Sequence, residues 1–220
     1  MTTTAVLFDM DGVLVDSTPL HVRAYEQVFR EAGIEFSDAA RAAVHEGKPR
    51  SEVIEIGAPG ASSELKRRLF DAKPNAVAEV LEGGRDVSMP GAIRTVRALA
   101  GGGIPMGVVT NSGTPNLWLE AAGILEHVSV VVASDDVSLP KPSPEGYLLA
   151  ARLLNVGPAH CIAFEDSHDG WLAATRAGMR VMIVGKTRPT WVTAETEVVR
   201  TMDTPGVLKL CLHATAGEIS

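Results

Sequence analysis

Five apolar runs of strand character recur along this chain, at Ala5 to Phe8, Met106 to Thr110, Val128 to Ala133, Cys161 to Phe164 and Val181 to Val184, with helix-like stretches between them. No other feature constrains the fold as strongly. Runs this uniformly apolar have no solvent face, so they require cover on both sides, and the alternation with helices predicts an α/β architecture built on a parallel sheet. In such sheets ligands bind beyond the carboxyl ends of the strands. The polar residues that follow each run are therefore the ones to examine.

The interval from about Ser17 to Asp86 breaks the alternation, with helix patterns and no convincing strand. Thr18 is expected to cap a helix with Pro19 in its first turn, ending at Gly33. Further helices are expected over Ser51 to Ile56, Ser63 to Ala72 and Asn75 to Gly83, with Gly57, Gly60 and Gly83-Gly84 as punctuation. The reading is an α-helical insertion over 17–86, interrupting a core formed by 1–16 and 87–220. The crossings near Asp16 to Thr18 and Asp86 to Gly91 are natural hinges. Val207 to Leu212 is expected to form a closing amphipathic helix.

Four polar clusters follow the strand runs. The first, Asp9-Met10-Asp11-Gly12-Val13, delivers two carboxylates into a turn. Desolvation and mutual repulsion both oppose their ionisation, so the pair calls for a cation or hydrogen-bond donors. Thr110-Asn111-Ser112-Gly113 offers hydroxyl, amide and backbone N–H groups as an anion cradle, although the same residues serve as ordinary turn and cap chemistry. Lys141 stands between Pro140 and Pro142, a rigid setting for an ammonium that is otherwise simply solvated. Glu165-Asp166-Ser167 adds two more carboxylates before a helix closed by Gly178. A hard divalent cation with oxygen ligands, Mg²⁺, resolves the repulsion among four carboxylates. Asp169 is expected on the helix surface.

A net charge of −7 disfavours nucleic acid or an anionic membrane as partner and points to a small substrate. The chain opens without a basic secretory leader, and the stretch from Gly101 to Leu119 is too broken by Gly, Pro, Asn and Ser to make a membrane helix. Cytoplasmic residence is the default expectation, as a monomer or small homo-oligomer. Cys161 and Cys211 lack metal or disulfide spacing and read as buried free thiols.

With Asp9-x-Asp11, Thr110, Lys141 and Glu165-Asp166 in this order, the chain resembles the haloacid dehalogenase-like phosphatase superfamily over nearly its whole length. The resemblance implies a Rossmann-like core with a mobile α-helical cap. It lies closest to the β-phosphoglucomutase and sugar-phosphate phosphatase branch, whose opening Asp9 through Asp16 to His21 matches. Gly47-Lys48-Pro49-Arg50 resembles that branch's cap loop, whose arginine meets the distal phosphate or polar group of the substrate. Where β-phosphoglucomutases carry a lysine before the cap-loop glycine, this chain has Glu46, which favours neutral or less charged substrates.

The resemblance implies Asp9 as nucleophile, Asp11 as general acid and base, and Thr110, Asn111, Ser112 and Lys141 around the phosphoryl group. It implies Mg²⁺ on Asp9, the Asp11 carbonyl and Asp166, with Glu165 a ligand or a partner behind the ligands. His21 would position Asp11 from the hinge side and Gly47 with Arg50 would meet the substrate; otherwise His21 is a helix-surface histidine and Arg50 a solvated helix-start residue. The expected activity is a phosphatase acting on a small phosphorylated sugar, polyol or glycolate, with a phosphosugar mutase as the alternative. A haloacid dehalogenase has no use for Asp11, and a phosphonatase needs a Schiff-base lysine for which Lys48, Lys66 and Lys73 offer no clear motif. In a phospho-acceptor signalling module the phosphorylated aspartate lies on a middle strand, and here the middle strands end in Thr110 and Asp135.

Overall fold

The computed structural model describes residues 4–82 and 86–203. The closing helix expected over Val207 to Leu212, Cys211 and the Gly83-Gly84 punctuation lie outside these residues. The chain divides into two compact units, Met1–Asp16 with Val87–Ser220, and Ser17–Asp86.

The first unit is a six-stranded, wholly parallel sheet in the order β3-β2-β1-β4-β5-β6, a Rossmann-like arrangement. Its strands are β1 (Ala5–Phe8), β2 (Met106–Val109), β3 (Val130–Val132), β4 (Cys161–Glu165), β5 (Arg180–Val184) and β6 (Glu197–Val199). β1, β2 and β4 are buried along their whole length, as their lack of a polar face requires. β6 went unforeseen: three residues opening with an exposed glutamate at the sheet edge carry too little apolar pattern to be recognised. The expectation that the strand leading to Asp135 is a middle one is also corrected. β3 is the opposite edge, and the centre belongs to β1, flanked by β2 and β4.

Helices α5 (Ala92–Gly101), α6 (Pro115–Ala121), α7 (Glu145–Leu153) and α8 (His168–Arg176) belong to this unit. Small residues on α7 and α8, among them Ala150, Ala173 and Ala174, let both helices settle closely on Leu7, Ala163 and Ile183 of the sheet. Phe8 and Phe164, neighbours across β1 and β4, stack with ring centroids 5.4 Å apart.

The second unit consists of α1 (Thr18–Glu31), α2 (Asp38–His45), α3 (Arg50–Gly57) and α4 (Ser63–Leu81). The cap of α1 is corrected: Ser17 holds that position and Thr18 is already helical. The two helices expected on either side of Pro74 form one helix of 19 residues, α4. A proline inside a helix removes one hydrogen bond and strains another turn, a cost of about 3 kcal/mol that neighbouring packing offsets here. α1 lies against α4, and Tyr25, Phe29 and Phe36 form a ring cluster with centroids 5.0 to 6.5 Å apart. Among the described residues no helix is long and apolar enough to cross a membrane.

Candidate active site

Asp9 directly follows β1, and its backbone N–H donates to the Phe164 carbonyl of β4 at 2.8 Å, so the side chain emerges at the centre of the sheet's carboxyl edge. The chain then turns sharply through Gly12, with Gly12 N–H bonded to the Val15 carbonyl and Val15 N–H to Met10. Gly12 has φ +81°, and a β-carbon there would lie 1.9 Å from Oδ2 of Asp166. Only glycine satisfies both conditions. The close approach brings the Asp11–Gly12 backbone against the Asp166 carboxylate.

Lys141 reaches in from the loop before α7. Its Nζ lies 2.5 Å from Oδ1 of Asp9 and 2.6 Å from Oε1 of Glu165, and its side chain is 6% exposed. The loop is braced from outside: the Glu145 carboxylate accepts from the N–H groups of Ser138 and Leu139, and Asn111 Oδ1 accepts from the Lys141 N–H. Asn111 thus contributes its side-chain oxygen to holding the lysine loop. The hydroxyl of Thr110, at the end of β2 beside β1, accepts from Ser112 N–H at 3.0 Å, and Ser112 Oγ accepts from Thr114 N–H.

Glu165 is fully buried and its two oxygens are occupied. Oε1 accepts from Lys141 and from the Tyr147 hydroxyl at 2.6 Å, while Oε2 accepts from Ser167 Oγ at 3.1 Å. Gly170, in the first turn of α8, passes so close that a β-carbon would sit 2.0 Å from the Glu165 carboxyl atoms. Tyr147 and Gly170 were not foreseen. Both sit on helices among apolar residues, and nothing in the sequence separates such a tyrosine or glycine from ordinary core packing.

Carboxylate oxygens of Asp9, Glu165 and Asp166 lie within 4.8 Å of one another. Burial pushes the Asp9 carboxyl well above the ordinary range; Lys141 pulls it down, and Glu165, Asp166 and Asp11 push it further up. Burial opposes the Lys141 charge, but Asp9 and Glu165 outweigh it and hold the ammonium protonated. Asp166 is pushed up to about 7, first by desolvation and then by Glu165, although its side chain retains solvent access that tempers the shift. One ammonium therefore serves three carboxylates. The surplus negative charge and all-oxygen donor set suit a hard divalent cation such as Mg²⁺.

The helical unit carries its own cluster. Lys73 of α4 is buried and lies 3.0 Å from Nδ1 of His21, with its ammonium 4.5 Å from the Tyr25 ring centroid. Burial, then Lys73 and Arg50, hold His21 well below the ordinary histidine range. His21 is therefore part of a partly buried contact, and Lys73, one of several basic residues on α4, gave no sequence signal of it. Gly47 closes α2 with φ +70°, Glu46 is exposed beside it, and Lys48 pairs with Glu52 at 2.9 Å. Arg50 opens α3, stacked on the Phe70 ring at 4.5 Å.

A family model described as haloacid dehalogenase-like hydrolase matches residues 3–178. A validoxylamine A 7'-phosphate phosphatase of Streptomyces hygroscopicus subsp. limoneus is 33% identical, over 87% of this chain and 90% of its own. A fructose-1-phosphate phosphatase of Escherichia coli is 32% identical, over 79% of this chain and 92% of its own. The crystal structure of a β-phosphoglucomutase from Clostridium difficile superposes with a TM-score of 0.76 at 22% identity, covering 99% of this chain and 100% of that one, a likeness of fold.

Proposed function

Because this chain belongs to the haloacid dehalogenase-like hydrolases, in their branch of sugar-phosphate phosphatases and β-phosphoglucomutase-like proteins, we propose that it is a magnesium-dependent phosphomonoester hydrolase that works through an aspartyl phosphate. Its substrate is a small phosphorylated sugar, polyol or glycolate in the cytoplasm. The observation that carries this reading is the Lys141 ammonium bridging Asp9 and Glu165 with Asp166 alongside. That arrangement has a surplus of negative charge which a bound divalent metal would balance before a phosphoryl group enters.

Asp9 attacks phosphorus in line, and the ester oxygen departs as the Asp9–phosphate bond forms. Asp11 donates a proton to the leaving alkoxide and then accepts one from the water that releases inorganic phosphate, regenerating the Asp9 carboxylate. Lys141 offsets charge on both Asp9 and the phosphoryl oxygens, while the Thr110 hydroxyl proton, the Asn111 N–H and the Ser112 hydroxyl proton bind those oxygens. Asp9, the Asp11 carbonyl and Asp166 would hold Mg²⁺, which supplies electrostatic stabilisation of the phosphoryl oxygens. Glu165, with Lys141, Tyr147 and Ser167 on its oxygens, acts behind the ligands by fixing Lys141. The 17–86 unit acts as a cap, with Gly47 and Arg50 choosing the leaving group.

Transfer to a substrate hydroxyl in place of water would use the same core residues. Glu46, exposed where β-phosphoglucomutases carry a lysine, weighs toward hydrolysis. A magnesium-dependent screen of phosphorylated sugars, polyols and glycolate tests the proposal. Sustained phosphate release is expected; isomerised sugar phosphate without net release, in the presence of a bisphosphate primer, would overturn it.

A further inference from the structure

Pro74 lacks an N–H, so the helical hydrogen bond that residue 74 would donate to the carbonyl four residues earlier, that of Phe70, cannot form. Within a helix a proline ring crowds the carbonyl four residues earlier. The orphaned oxygen accepts instead from Nη1 of Arg50 at 3.3 Å. The Phe70 ring, 40% exposed, stacks under the same guanidinium at 4.5 Å. Among the described residues Arg50 pairs with no carboxylate, so most of its five donors are left for another acceptor.

We propose that Pro74 and Phe70 are positioning residues for specificity: the freed carbonyl and the exposed ring form a seat that fixes the Arg50 guanidinium for the oxygen-rich end of a sugar or polyol phosphate. This rests on the reading of Arg50 as a substrate contact. An exposed arginine otherwise loses rotamer freedom on binding, and a seated one has already done so. A continuous helix that lacks one internal hydrogen bond, with a neighbouring side chain supplying the missing donor, is thereby tied to ligand recognition.

Two measurements test it. The first needs no substrate: thermal unfolding of the wild type, Arg50→Ala, Pro74→Ala and the double variant. With Pro74 present, Arg50→Ala strips the Phe70 carbonyl of its donor and is expected to lower the Tm by about 3 °C; with an N–H at position 74 the loss should fall to less than half. Equal losses in both backgrounds would overturn the seat. The second is steady-state kinetics on the best substrate of the screen. Pro74→Ala and Phe70→Leu should each raise KM about fivefold with kcat within twofold, Phe70→Tyr should behave as wild type, and Pro74→Ala should do so without lowering the Tm. An unchanged KM in Pro74→Ala alongside a raised one in Arg50→Ala would overturn the seat while leaving Arg50 as a contact. An unchanged KM in Arg50→Ala would overturn the reading of the cap and the inference with it, whereas the unfolding cycle reports on the seat alone.

Discussion

At the scale of single residues the account turns on how few charges are balanced around Asp9. Lys141 is buried between Asp9 and Glu165, so Lys141→Met leaves two carboxylates unpaired. Breaking a buried pair commonly costs about 3–5 kcal/mol, which should appear as a lowered unfolding midpoint together with loss of turnover. The hydroxyl of Tyr147 shares Oε1 of Glu165 with that lysine; Tyr147→Phe keeps the ring packing and should reduce kcat by roughly tenfold, with KM little changed. The pH dependence follows from Asp166, pushed up to about 7. Below that pH the metal-free carboxyl holds a proton that Mg²⁺ must displace. The concentration of Mg²⁺ needed for half-maximal activity should therefore fall about tenfold between pH 6 and pH 8, and a flat profile would count against Asp166 as a ligand.

At the scale of elements, the sheet delivers the site and the helices tighten it. The four sequence clusters were legible because each follows an apolar run, and β1, β2 and β4 lie side by side with Asp9, Thr110 and Glu165-Asp166 at their carboxyl ends. What was not legible are contacts made by residues of ordinary type. Gly170 looks like any helical glycine until the Glu165 carboxylate is found against it; Gly170→Ala should displace that carboxylate, lowering both the Tm and kcat. Pro74 read as a helix boundary because local preference cannot show that α1 meets α4 on either side of it, through His21 with Lys73 and Gln27 with Glu79. In the helical unit His21 stays neutral to lower pH than in the unfolded chain. The unfolded chain then binds more protons as pH falls below about 6.5, so His21 makes stability decline with acidification, and His21→Gln should flatten the thermal-midpoint profile between pH 5 and pH 7.

At the scale of the whole molecule, the proposed chemistry and the proposed selectivity fall to different stretches of chain. The carboxylates and Lys141 belong to the sheet unit and the Arg50–Phe70–Pro74 arrangement to the 17–86 unit. The net charge of −7 points to a small substrate, but composition carries no sign that the buried Lys73 comes to rest against a neutral His21, because the two residues lie far apart in sequence. The central claim is that Asp9 bonds to phosphorus. Acid quenching during turnover with Mg²⁺ and a good substrate, followed by peptide mass analysis, measures this most directly. One phosphoryl group on the Asp9 peptide, absent together with phosphate release in Asp9→Asn, is the expected result; a phosphoryl group on another residue, or sustained phosphate release by Asp9→Asn, would contradict it.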